Sequence, residues 1–508
     1  MKKLLVVLVS LSFLLPLPSF AADQADILQK IEALSRELNQ LKQQMQETQK
    51  KETTKEKRIT AVEKKAEEAA GPSWLKIGGD FRARVDSLSG KTHDAWVFKG
   101  KGFVPTATAG KDVKNDSLFT NRFGLNIIAK ATEDVTVIGR LLMYKVWGMG
   151  NTNPVTTNAF FADKTVFDGT TGHIPQDNLL RVDQAFVTWS NIADVPVWFS
   201  IGRRPSTGGV PGNIRQNLER IGTGGVPSLL VDYAFDGLTL GYAPDINALP
   251  GAYAKVCYGK GLDSGFRPQN NNLKDTYLFG FDVVPYHTEN LHVELNWNRG
   301  SDIFARPDMI TGIPPNIPPN TNVGEIDWYG TTVTGRVGDL NLFVSGAISK
   351  SHPNDNTYAT PPYGAYGLLW DTTEGKKSHS GKAIYLGGRY DIKSIGTKIG
   401  AEYNHGSKDW ITFVPANDDI WTGKLGTRGD VYEVYLIQEL NKKPIANRGK
   451  AFFRLGYQYY DFEYTGSNNW MGAPQKISDL TQAGPGLPQF FEVLDKASNI
   501  YLTFNVLF

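Results

Sequence analysis

Ile500-Tyr-Leu-Thr-Phe-Asn-Val-Leu-Phe508 decides the reading of this chain. Ile500, Leu502, Phe504, Val506 and Phe508 fall on one side, and Asn499, Tyr501, Thr503, Asn505 and Leu507 on the other. Alternation with period two is a strand with one apolar and one mostly polar surface. An ordinary edge strand of a soluble sheet would show the same alternation, so the rest of the chain has to choose between the two.

The same pattern recurs wherever the chain is rich in turns. Leu75, Ile77, Gly79, Phe81, Ala83 and Val85 alternate with Lys76, Gly78, Asp80, Arg82, Arg84 and Asp86. In a soluble sandwich that charged row meets solvent. In a barrel it lines a wet lumen while the apolar row meets lipid. Further strands are expected at 121–131, 134–147, 180–190, 197–204, 228–235, 237–243, 252–259, 276–284, 290–298, 327–337, 340–350, 382–391, 395–405, 430–440, 449–461 and 492–508. Single-chain bacterial barrels have even strand numbers, so 16 or 18 strands are expected over 72–508. Thr132-Glu133, Asn191–Pro196, Asp236-Gly237, Gly338-Asp339 and Asp391–Ser394 read as short turns. The stretches 87–117, 148–178, 299–326, 351–381, 406–429 and 462–491 read as long loops. Long and short connections at opposite ends suit a transmembrane antiparallel β-barrel, whereas so much structureless loop would be out of place in a compact soluble domain.

The first residues set the compartment. Lys2 and Lys3 precede an apolar run from Leu4 to Leu15, and Ser19-Phe-Ala21 follows. This is the layout of a signal peptide over 1–21, cut after Ala21. With Lys2 and Lys3 removed, 52 basic residues face 52 acidic ones. Such a balance offers no field for nucleic acid, so any selectivity must be local. The single cysteine, Cys257, excludes an internal disulfide, a CxxCH haem site and a cysteine-based metal cluster. No later stretch is apolar for about 18 residues, which excludes membrane-spanning helices but not strands. Residues 23–70 lack Gly and Pro. Ile27, Ile31, Leu34, Leu38, Leu41 and Met45, then Ile59, Val62, Ala66 and Ala69, keep 4-3 spacing on either side of a polar middle at Thr48, Glu52 and Lys55. An α-helical coiled coil is expected over 22–71 and stops at Gly71-Pro72. A single surface helix is the alternative.

Phe119-Thr-Asn-Arg-Phe-Gly-Leu125, Asp183-Gln-Ala-Phe-Val-Thr-Trp189 and Phe199-Ser-Ile-Gly-Arg-Arg-Pro205 resemble strands of outer-membrane porins. With the Asp80-Phe-Arg-Ala-Arg84 opening and Gly202-Arg-Arg-Pro-Ser-Thr-Gly-Gly209, the chain is similar to a family of uncharacterised porins from anaerobic bacteria. The order of signal, coiled coil and barrel is distantly similar to phosphate-selective porins. The closing strand resembles those ending on an aromatic residue read by the barrel-assembly machinery, which would make Phe504, Val506 and Phe508 an assembly signal. The resemblance implies the outer membrane of a Gram-negative bacterium, contact with its lipid, and a homotrimer. It implies a pore but names no solute.

A water-filled channel for passive diffusion of small hydrophilic solutes or ions is the expected function, with no cofactor, no metal and no enzymatic reaction. Arg203, Arg204, Arg215 and Arg220 would line a constriction if the segment after 202 folds inward; otherwise they are solvated loop charges. Guanidinium groups stay ionised and grip carboxylate or phosphate at two points. Arg82, Arg84 and Arg140 are expected on the lumen wall, with Asp80 and Asp86 as their partners. His292 and Glu294 share a strand face near His287, which is more simply lumen lining than a metal or acid–base site. The alternatives are a sheath for a multihaem cytochrome partner and a structural envelope barrel. A hydrolase would need a nucleophile–base pair that the sequence does not offer.

Overall fold

The computed structural model describes residues 74–508 except 100–103, 150–173, 176, 221, 223–224, 306–320, 360–364, 415–417, 441–444, 446–448, 481–487 and 490–491. Before residue 74 it describes Arg36 and Lys42, so the signal peptide and the coiled coil lie outside the described residues. Sixteen antiparallel strands close into one barrel. They are β1 (Leu75–Thr92), β2 (Asp112–Lys130), β3 (Val135–Val146), β4 (Arg181–Trp189), β5 (Val197–Ser206), β6 (Tyr233–Tyr242), β7 (Tyr253–Leu262) and β8 (Thr276–His287). The circuit continues with β9 (Leu291–Phe304), β10 (Asn322–Val337), β11 (Leu340–Pro353), β12 (Ser380–Ile392), β13 (Thr397–Gly406), β14 (Gly429–Glu439), β15 (Lys450–Phe462) and β16 (Leu494–Leu507). Each strand pairs with its neighbours in sequence, and β16 pairs with β1 from Asp80↔Leu507 to Thr92↔Leu494. Phe508 extends that seam by exchanging both backbone hydrogen bonds with Gly79.

The two faces of the wall separate as the alternation demands. Phe81, Phe119, Ile201, Leu240, Leu295, Val344, Leu386, Val434, Leu455 and Leu502 are exposed on the outside and form an apolar belt around the circuit. Aromatic residues sit at its margins: Tyr403, Tyr432 and Tyr459 lie in one register row at the long-loop end. Trp189, Tyr242 and Tyr390 lie near the short turns. This is the surface that lipid requires.

The inside differs from a wet tube. Long loops fold into it and build a core. Leu229, Leu230 and Val231 from the β5–β6 loop pack with Trp410, Ile411, Phe413 and Leu425 from the β13–β14 loop, with Trp470 from the β15–β16 loop, and with Trp328 on the wall. Phe413 donates its N–H to the Leu230 carbonyl at 3.1 Å and accepts from the Asp232 N–H at 2.8 Å. Trp328 Nε1 donates to the Ile411 carbonyl at 2.7 Å. Arg428, fully buried, donates to the carbonyls of Trp410, Thr465 and Asn469 and so ties two loops together.

That core explains one departure from the sequence reading. The expected strands 228–235 and 237–243 are a single strand, β6, and Asp236-Gly237 is not a turn. Gly237 pairs with Gly202 on β5 and Gly259 on β7, in mid-strand. Leu229, Leu230 and Val231 are apolar because they belong to the inward loop, not because they face lipid. The first expected loop also shrinks, because β1 and β2 run past its limits and pair as far as Lys91↔Asp112.

Candidate functional site: an ionic latch in the lumen

The loop between β13 and β14 carries Asp418, Asp419 and Lys424 to the inner wall, and the loop between β5 and β6 carries Arg215. Arg215 sits on the short helix Gly212–Gln216. Its guanidinium meets Asp419 at 2.8 Å and Glu433 of β14 at 2.9 Å. Lys424 Nζ reaches Glu402 of β13 and Glu433, both at 2.5 Å. Glu433 also accepts from Tyr501 at 2.6 Å and Gln458 at 3.1 Å. All these ionised groups are buried, so each pair is held without the screening that water gives at a surface.

A second cluster adjoins it. Arg82 contacts Asp418 at 2.5 Å, while Arg84 donates to the Asp418 carbonyl at 3.0 Å and pairs with Asp86 at 2.6 Å. Arg454 and Arg122 stand 3.6 and 3.8 Å from Asp418. Burial alone would raise the Asp418 pKa, but Arg82, Arg122, Arg84 and Arg454 hold it well below the usual carboxylate range. A carboxylate whose folded pKa is depressed stabilises the fold fully above the ordinary range and stops doing so only as pH falls through the folded value. Asp418 should therefore hold its arginines from pH 8 down to about 4, the ordinary carboxylate value. Burial raises the pKa of the neighbouring Asp419 instead, so by the same linkage its protonation does not unseat the loop as pH falls. Bilayer conductance and loop proteolysis should therefore not rise over that window, and Asp418→Asn should raise both. A rise in the wild type near the ordinary value would refute this account.

Not all of the lumen is sealed. Toward β2–β4, the side chains of Arg122, Arg140 and Asp80 are 23 %, 16 % and 14 % exposed, against 3 % for Arg82 and 5 % for Asp418. Arg140 pairs with Asp80 at 2.6 Å and Asp183 at 3.3 Å and donates to Asn126 at 2.5 Å. Arg204 lies over the Phe186 ring at 5.8 Å and has no acidic partner among the described residues.

The remaining candidates are distributed as follows. Arg203 shares its row with Phe199 and Ile201, outside the barrel, where it stands 3.7 Å from Asp236. The expectation that it lines the lumen is not met: pairing runs unbroken through Gly202, itself at φ 127°, and sets Arg203 opposite the exposed Asp236. Arg220 does not line a constriction either; it donates to the carbonyls of Thr288 and Glu289 in the β8–β9 turn. Phe504 stacks on Phe453 at 4.7 Å on the outer face. His287 and His292 approach through their Nδ1 atoms at 2.9 Å, and His292 Nε2 meets Glu294 at 3.1 Å. They border a small void of about 10 Å³, room for a single water. Among the described residues no group of three or more His, Cys, Asp or Glu is placed to hold a metal ion.

Sequence reasoning missed Glu402, Glu433, Asp418, Asp419, Lys424 and Arg454. A signal was present: Trp410-Ile-Thr-Phe-Val414 is too apolar for a loop that stays in water.

Among solved structures, the chain is similar to OmpT, an outer membrane protein of Vibrio cholerae, in its in-vitro folded trimer form. The two are 13% identical over 85% of this chain and 99% of that one, with a TM-score of 0.39. It is also similar to Salmonella typhi OmpF in complex with daunomycin, at 10% identity over 85% of this chain and 97% of that one, with a TM-score of 0.42. No curated protein matches the chain. A family model matches residues 112–508, so the chain belongs to the family described as "Protein of unknown function (DUF3373)".

Proposed function

We propose that the chain is an outer-membrane barrel of a Gram-negative bacterium that passes small hydrophilic solutes or ions through a narrow, off-centre route along β1–β5. The carrying observation is the partial exposure of Arg122, Arg140 and Asp80 beside a sealed remainder of the lumen. Three guanidinium groups, Arg122, Arg140 and Arg204, face two carboxylates there, Asp80 and Asp183. The imbalance favours anions mildly. The apolar belt supports insertion in lipid; delivery by the barrel-assembly machinery and assembly as a homotrimer are further parts of this proposal. A cytochrome sheath is disfavoured, because the protein's own loops occupy the lumen where a haem protein would sit.

Planar-bilayer recording tests this reading. The wild type should give small steps with a salt-gradient reversal potential on the anion side. Arg204→Glu should move that potential toward cations while the barrel stays folded, since Arg204 holds no structural ion pair among the described residues. A folded, inserted barrel that never conducts would sink the proposal.

A further inference from the structure

The outer face of β8–β11 carries a groove of about 540 Å³ within the apolar belt. Two register rows form it. Phe281, Trp297, Tyr329 and Ile348 make the row nearer the long loops, and Val283, Leu295, Thr331 and Gly346 the row below. Large rings stand beside the short side chain of Thr331 and the bare backbone of Gly346, which leaves a slot in the wall. Gly346 is open: a Cβ built there meets nothing within 4 Å.

The row above the groove is Phe279, Arg299, Asp327 and Lys350. Lys382 pairs with Ile348 in the adjoining register. The apolar belt therefore ends in cations immediately above the slot. Asp327 is already engaged by Arg299 at 2.7 Å and by His352 at 2.9 Å, and Glu325 lies 3.6 Å from Arg299. Lys350 and Lys382 are exposed and pair with no carboxylate among the described residues. Two unneutralised ammonium groups over a hydrocarbon-lined slot, at the depth where apolar surface gives way to polar, match one kind of molecule. That molecule has an acyl chain below and a phosphate above.

We propose that this groove is a binding site for a single membrane lipid with a net anionic, phosphate-bearing headgroup, its chain against Gly346 and Thr331 and its phosphate between Lys350 and Lys382. The proposal rests on the barrel spanning a membrane with its long loops outward.

The test uses the full detergent-folded chain, mixed with equimolar diphosphoryl lipid A and phosphatidylcholine and examined by native mass spectrometry. The wild type should retain lipid A over phosphatidylcholine by about 30-fold, the scale of two lysines at a lipid surface. Lys350→Glu with Lys382→Glu should erase that preference. Gly346→Phe, which fills the slot from an open position, should lower retention of both lipids. Equal retention by the wild type, or a preference untouched by the lysine changes, would overturn the site. So would a Gly346→Phe protein that changes oligomeric state with its lipid retention intact, since the groove would then seat a second copy. Vesicle insertion is scored in parallel. A barrel that inserts without the preference fails here alone, whereas one that never inserts fails the underlying membrane reading.

Discussion

Replacing Glu433 with leucine should unseat the inward loops and raise single-channel conductance severalfold while the barrel remains closed. Glu433 is the shared anion of the latch: Arg215, Lys424, Gln458 and Tyr501 all direct donors at it. Removing one partner of a buried ion pair leaves an uncompensated charge, at a cost of about 3–5 kcal/mol. The lower end applies, because Arg215 keeps Asp419 at 2.8 Å and Lys424 keeps Glu402 at 2.5 Å. Strand pairing of β14 with β13 and β15 uses backbone groups and does not pass through this carboxylate. The penalty therefore falls on the loops. Glu433→Gln keeps a hydrogen-bond acceptor and should fall between the two. Converting both Arg215 and Glu433 to apolar residues should cost less than Glu433→Leu, because no charge is then stranded. Conductance steps and protease cleavage within 407–428 give independent readings. Wild-type values of both in Glu433→Leu would show that the latch does not hold the loops.

The wall of this barrel was legible in the sequence because each strand repeats one simple code. A residue two positions on faces the same side, so Arg82 and Arg84 could be set inward and Phe81 and Val85 outward without knowledge of their neighbours. Closure, and the length of β1 and β2, come from pairing between distant segments, and these lengthened or merged expected elements at their ends. The loops were misread for a physical reason. Turn-rich composition marks a segment as irregular but does not say which side of the wall it takes. Leu229 to Val231 therefore passed for part of a strand, and Trp410 to Val414 for part of a long loop. The ionic site was half visible. Arg215 stood out as a guanidinium in a long connection, but its partners Asp419 and Glu433 lie more than 200 positions away in sequence, and local pattern cannot pair them.

Excising 408–426 and rejoining the ends through a short Gly-Ser turn should have the largest effect of all, a conductance rising to that of an open barrel of this size. The strands on either side are already adjacent: Gly406 pairs with Gly429, so a tight hairpin can replace the loop without moving the wall. Barrels of 16–18 strands leave an aqueous channel unless something fills it. Here the filling is loop, since Trp410, Ile411, Phe413 and Leu425 form the core on which the β5–β6 and β15–β16 loops pack. Without them, Leu229, Leu230 and Trp470 lose apolar partners worth roughly 1.5–3 kcal/mol for each fully buried side chain, and the remaining loops should loosen as well. The excised barrel should also turn more strongly to anions. Asp418 departs, and Arg82, Arg84, Arg122 and Arg454 around it then face the lumen with Asp86 beside Arg84 and Asp80 beside Arg122 as remaining counter-charges. Bilayer recording before and after excision, with reversal potentials in a salt gradient, measures both effects. Unchanged conductance would place the closure in the β5–β6 loop, whose Arg220 is tied to the β8–β9 turn. Raised conductance without the anion shift would mean that the arginines find carboxylate partners elsewhere on the wall.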